Sequence, residues 1–147
     1  MNIIICGAGM VGFSISKQLQ SQGHSVTVID QSSEDIKKIN DTQDVKAIVG
    51  RATLPSVLEN AGAKDADMII AVTRNDETNM IVCQLASSLF NISRKIARIR
   101  SQEFLEGKWS KLYNKSNIPI DVIISPEREV AKSLYRKLKS LGIKGIN

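Results

Sequence analysis

The sequence predicts an α/β chain built on a doubly wound parallel sheet of six strands with helices on both faces. Three observations carry that expectation. Short apolar runs and amphipathic segments alternate along the 147 residues, which is the pattern of consecutive βα units. The first run, Ile3-Ile4-Ile5-Cys6, passes directly into G-x-G-x-x-G at Gly7, Gly9 and Gly12 and then into an amphipathic segment. That is the strand, turn and helix context a Rossmann-like dinucleotide loop requires. The run at 67–72 is almost wholly apolar, as a strand covered by helices on both faces should be.

The elements follow in order. Residues 1–6 form the first strand, and residues 10–22 the first helix, with Val11, Ile15 and Leu19 on one face and Gly23 after its end. Residues 25–30 form a second strand that stops on Asp30. Ser32 or Ser33 caps a second helix reaching about Asn40, and residues 45–49 make a third strand before Gly50. A short helix follows with Pro55 in its first turn and Leu58 inward. The fourth strand spans 67–72, and residues 73–79 open a long helix through Phe90. Residues 95–100 have no clear period, and their place in the order marks them as the fifth strand. Leu105, Trp109, Leu112 and Tyr113 fall on one face of a helix at 102–113, and 120–124 is the sixth strand. Ser125-Pro126-Glu127 has the composition of a helix start, and Val130, Ala131, Leu134, Leu138 and Leu141 give the last helix its apolar face. Residues 1–141 are thus one domain, with 142–147 a linker or chain-end tail.

Composition bounds the function. Hydrophobic residues make up 42% and charged residues 24%, ordinary for a globular protein. The first apolar run has no basic segment before it and breaks at Gly7, so no signal peptide is expected. Nor does any apolar stretch approach the roughly 20 residues that span a bilayer. Cys6 and Cys83 lie in apolar patterns and read as reduced, buried packing in a cytoplasmic protein. Residues 1–93 hold 7 Lys/Arg against 10 Asp/Glu, and residues 94–147 hold 13 against 5. A solvated basic face explains that imbalance as readily as an anionic partner does. No helix-turn-helix pattern accompanies it, so no nucleic-acid partner is expected.

The candidate site is the rim at the strand C-termini. Gly7 allows a tight turn, Gly9 lets backbone approach a pyrophosphate, and Gly12 permits close helix packing. The helix start at Met10 and Val11 offers N–H groups to phosphates. Asp30 lies 18 residues past Gly12, near the offset at which an acid binds ribose hydroxyls. A carboxylate there repels a 2′-phosphate and favours NAD or an adenine nucleotide over NADP. Arg51, Thr73, Arg74 and Arg98 also fall at predicted strand ends, and a guanidinium at Arg98 can pair with a pyrophosphate.

Catalytic apparatus is harder to find. His24, the only histidine, lies between the first helix and second strand, at the opposite end of the sheet, and reads as a surface turn residue. Tyr135 and Lys139 match the Y-x-x-x-K pair of short-chain dehydrogenases, but they fall after the sixth strand, on a helix surface. No paired carboxylates, metal-ligand cluster or nucleophile elbow accompanies the loop. The chain therefore reads as a non-enzyme, the alternative being an NAD-dependent oxidoreductase fragment that lacks its substrate domain.

Four segments together resemble one family, the RCK/KTN nucleotide-binding domain of TrkA-type regulatory subunits of Trk potassium uptake. They are residues 3–12, residues 71–80 with Asp76-Glu77-Thr78-Asn79-Met80, Ile96-Ala97-Arg98-Ile99-Arg100, and residues 120–127 with Ile120-Asp121-Val122-Ile123-Ile124-Ser125-Pro126-Glu127. The resemblance implies a cytoplasmic regulatory domain for potassium ion transport that binds NAD(H), with ATP or ADP as the alternative. By it, the phosphates sit on Gly7, Ala8, Gly9, Met10 and Val11 and the ribose on Asp30, with further contacts from Thr73, Arg74 and Arg98. Arg51 and Arg74 stand where such domains more often have uncharged or acidic residues. A homo-oligomer, dimer or tetramer, at the inner face of the membrane beside a potassium-transporting subunit is implied as well.

Overall fold

The structure, a computed structural model, describes residues 1–125 and Arg136. The start of the last helix at Pro126 and Glu127, the Tyr135 and Lys139 pair, and the tail at 142–147 lie outside the described residues.

Six parallel strands form one sheet: β1 Asn2–Cys6, β2 Ser25–Asp30, β3 Lys46–Val49, β4 Met68–Ala71, β5 Arg94–Arg98 and β6 Val122–Ile124. Their spatial order is β3-β2-β1-β4-β5-β6. The chain moves outward from β1 to β3, then returns to pair β4 beside β1, with Ile4 opposite both Thr27 and Ile69. The order therefore reverses between β1 and β4, and that switch point is where an open α/β sheet leaves a crevice at its carboxyl edge.

Helices cover both faces: α1 Met10–Ser21, α2 Ser33–Thr42, α3 Pro55–Asn60 and α4 Asp76–Phe90. Side chains of β1 alternate between two cores, as a strand of period two must. Ile3 and Ile5 pack with Ile15 and Leu19 of α1 and Ile36 and Ile39 of α2. Ile4 and Cys6 pack on the other face with Leu58 of α3 and Val82, Cys83 and Ala86 of α4.

The unclear period of the fifth strand has a physical reason. β5 lies inside the sheet, so Lys95, Ile96, Ala97 and Arg98 are all buried. Lys95 is accommodated at the amino edge, where its Nζ lies 3.3 Å from Asp121 and donates to the Ile92 carbonyl at 3.0 Å.

Two expectations are corrected. Residues 102–113 do not form one helix but a single turn, α5 Gln102–Leu105, and a 3-10 turn at Ser110–Leu112. The break contains Gly107, a poor helix former, and Trp109 is left 47% exposed. His24 is not a surface residue either. It does lie at the amino edge of the sheet, but it is buried there, with its Nδ1 3.2 Å from the terminal amine of Met1.

Candidate functional site at the carboxyl edge of the sheet

The glycine loop is shaped by close approach. β1 ends at Cys6, and Gly7 turns the chain with φ of +120°, where an L side chain is rarely found. A Cβ there would also press on the backbone of Val72, 2.9 Å away. A Cβ on Gly12 would overlap the Gly7 carbonyl oxygen, so α1 can seat on the loop only because residue 12 has no side chain. Gly9 differs, because a Cβ on it would meet nothing within 4 Å. Gly9 lies on the lining of the crevice.

The start of α1 is chemically unlike those of α2 and α4, although the short α3 likewise lacks a side-chain cap and a first-turn acid. Ser32 caps α2 by accepting the Asp35 N–H at 3.1 Å, and Asn75 caps α4 by accepting the Thr78 N–H at 2.7 Å. Both helices carry acids in their first turn. Helix α1 has neither a side-chain cap nor a first-turn acid. Its N–H donors and the positive end of its dipole are directed at the crevice, an arrangement suited to an anion.

Polar side chains then lock the loops around that opening. Asp30, at the end of β2, accepts the Ala8 N–H at 2.7 Å and the Ser32 N–H at 2.8 Å. It thus both caps the following turn and holds the glycine loop. Each carboxylate oxygen keeps a further lone pair for an incoming hydroxyl. Asn79, fully buried in α4, accepts from the Thr73 N–H at 3.0 Å and the Thr73 hydroxyl at 2.7 Å. Its amide donates to the carbonyls of Thr73 at 3.1 Å and Arg98 at 2.8 Å. Asp76 accepts the N–H groups of Arg100 and Ser101 at 2.8 and 2.9 Å. These bonds fix the rim at the end of β1 to that of β2, and the rim at the end of β4 to that of β5.

These loops enclose a cavity of about 540 Å³. Gly7, Gly9, Met10, Val11, Asp30, Arg51, Thr73, Arg74 and Arg98 all line it, so nine of the eleven candidate residues converge there. Ala8 and Gly12 do not; both are buried, Ala8 giving its N–H to Asp30 and Gly12 packing under the turn. Arg51 and Arg74 are exposed on the rim, whereas Arg98 is buried beneath it. Asp35, Gln31 and Thr78 are among the other residues that line it. Asn79 and Asp76 were not assigned by sequence reasoning, because neither touches the cavity and each acts on a backbone far along the chain. An asparagine on the inward face of a helix, where its competition for backbone bonds is unfavourable, was the available signal.

Reactive groups are scarce. Burial, with smaller contributions from Cys83 and Asp30, pushes the Cys6 thiol far above its usual range. Burial likewise pushes Cys83 up to about 12, although Lys95 opposes it. Neither is a thiolate near neutral pH. Among the described residues no group of three or more His, Cys, Asp or Glu side chains is placed to hold a metal. No described helix is long and apolar enough to cross a membrane.

Comparison with known proteins agrees with this fold. Residues 3–126 match the TrkA-N domain family model. The Trk system potassium uptake protein TrkA of Azorhizobium caulinodans is 45% identical over 142 residues, covering 97% of this chain and 31% of the relative. That of Haemophilus influenzae is 43% identical over 136 residues, covering 92% and 30%. The chain thus spans about a third of the length of these relatives. Among solved structures, the TrkA-N domain of the inner membrane protein YbaL from Escherichia coli aligns with a TM-score of 0.73 at 18% identity, covering 93% of this chain and 96% of that one. The GsuK channel bound to NAD aligns at 0.68 and 20% identity, covering 84% and 21%. The Shewanella denitrificans Kef CTD in AMP-bound form aligns at 0.66 and 21% identity, covering 99% and 84%.

Proposed function

The chain belongs to the TrkA-N domain family, and from that premise we propose that it is a nucleotide-sensing regulatory domain controlling potassium uptake through a membrane Trk-type transporter. The observation that carries the reading is an uncapped α1 with an open Gly9 lining one cavity together with Asp30, which holds the adjoining Ala8 N–H. A pyrophosphate fits the first feature and a ribose diol the second. NAD(H) supplies both, and ATP or ADP is the alternative. The NAD in one structural relative and the AMP in another support this class of ligand.

In this reading Gly7, Gly9, Met10 and Val11 contact the phosphates, Asp30 the ribose, and Arg51, Thr73, Arg74 and Arg98 the remaining polar groups. Ala8 and Gly12 act indirectly, by shaping the loop. The domain works as a homo-oligomer, dimer or tetramer, in the cytoplasm at the inner face of the membrane beside the potassium-transporting subunit. Nucleotide acts by binding one arrangement of subunits more tightly than another, since a ligand shifts an equilibrium only by its differential affinity.

Fold alone does not separate this reading from an oxidoreductase. What favours a sensor is the lining of the cavity, which among the described residues has phosphate and hydroxyl partners but no histidine, cysteine or tyrosine to donate a proton. Introducing Gly9→Ala into the native gene and measuring rubidium influx tests the proposal. The sensor reading expects influx to lose its response to nucleotide, and an unaltered response would contradict it.

A further inference from the structure

The four methionines of this chain differ sharply in exposure. Met68 is fully buried, Met80 is 6% exposed, and Met1 packs partly buried against the core. Met10 is 88% exposed. It is the first residue of α1 and lines the cavity between Gly9 and Val11. The helix end beneath it has no side-chain acceptor of its own, neither cap nor first-turn acid. The two thiols that would otherwise react first, Cys6 and Cys83, are both buried.

We infer that Met10 is an oxidation site, through which a hydroperoxide lowers the affinity of the domain for nucleotide. The inference rests on the nucleotide reading above. The thioether sulfur attacks the terminal oxygen of the peroxide, an S–O bond forms and the O–O bond breaks. Sulfur loses two electrons, and the peroxide is reduced to water or an alcohol. The product is methionine sulfoxide, in which an apolar, flexible side chain has become polar. Its oxygen is a strong hydrogen-bond acceptor with partial negative charge. At the first position of α1 it stands beside the N–H groups that a phosphate would use, and it is favoured there by the same helix dipole. The oxidised side chain therefore competes with the ligand for donors and repels its phosphates. The change is reversible, since sulfoxide reductases return methionine.

The full chain, treated with hydrogen peroxide, is mapped by peptide mass spectrometry and then titrated with NADH and with ATP by calorimetry. Met10 gains one oxygen ahead of Met68 and Met80, and binding weakens about fivefold or more, the loss of roughly one hydrogen bond. Prior saturation with nucleotide slows the oxidation, and methionine sulfoxide reductase restores the affinity. A Met10→Leu variant, whatever its starting affinity, keeps that affinity after peroxide. Complete oxidation of Met10 with unchanged binding overturns the inference, as does a peroxide effect that persists in Met10→Leu. A chain that binds neither nucleotide before treatment removes the nucleotide reading and this inference with it, whereas binding that survives oxidation removes only the inference.

Discussion

The Asp30 carboxylate grips the glycine loop by its backbone, with Oδ2 accepting the Ala8 N–H at 2.7 Å across 22 residues of sequence. Its other oxygen accepts the Ser32 N–H at 2.8 Å. One side chain thus ties the glycine loop to the turn after β2, and in the proposed function the same carboxylate meets the ribose. Asp30→Ala should lower folding stability by about 1–3 kcal/mol, the cost of leaving such donors unpaired. It should also weaken NADH binding by a similar amount. Denaturant titration and calorimetry on the same variant separate the two losses.

The glycines of the loop should divide by function. Gly12→Ala places a Cβ against the Gly7 carbonyl and should cost about 3 kcal/mol or more, as overpacking at a rigid backbone does. Gly9→Ala meets no protein atom within 4 Å and should leave the melting temperature nearly unchanged. Its methyl group projects into the crevice, and NADH affinity should fall about tenfold, or roughly 1.4 kcal/mol. If both variants lose stability alike, the division is wrong.

Asn79 makes four hydrogen bonds from a fully buried position. Asn79→Ala removes all four of these hydrogen bonds from a buried site and should destabilise the fold by about 2–4 kcal/mol. Asn79→Asp keeps the size but replaces a donor with an acceptor facing the Thr73 and Arg98 carbonyls, so it should not rescue stability. Equilibrium unfolding of the two variants checks this.

How much of this was legible in sequence depended on the range of the interaction. Strand and helix positions came from periodicity, a local property, and the glycine loop from spacing. Convergence of Asp30, Arg51, Thr73, Arg74 and Arg98 on one cavity followed from the strand order alone. The latches did not follow. Asp76 reaches Arg100 and Ser101, and Asn79 reaches Arg98, through partner choices that only the packed fold makes. Around Trp109 an apolar pattern suited a helix, yet Gly107 and the short fragments on either side leave it as turns. His24 misled for a related reason. Its place in a turn suggested exposure, but the amino edge of β2 buries it against Met1.

That burial has a consequence for pH. His24 has its pKa lowered from 6.5, first by desolvation and then by the terminal ammonium group. In the neutral ring Nδ1 accepts from that ammonium, so Nε2 carries the proton and finds no partner among the described residues. Because the folded pKa lies below the unfolded one, the unfolded chain binds the proton first. Stability is therefore full above about pH 6.5 and declines as pH falls from there through the folded pKa. Melting temperatures between about pH 7.5 and about pH 5.5 should decline on the acid side, and His24→Gln should flatten that decline.

Whether this cavity reads a nucleotide is decided by calorimetric titration of the full chain with NADH. Saturable binding at one site per chain is expected, lost or weakened in Gly9→Ala. Absence of saturable binding by NADH, NAD, ATP and ADP alike, in a chain that is folded by its melting transition, would contradict the nucleotide reading.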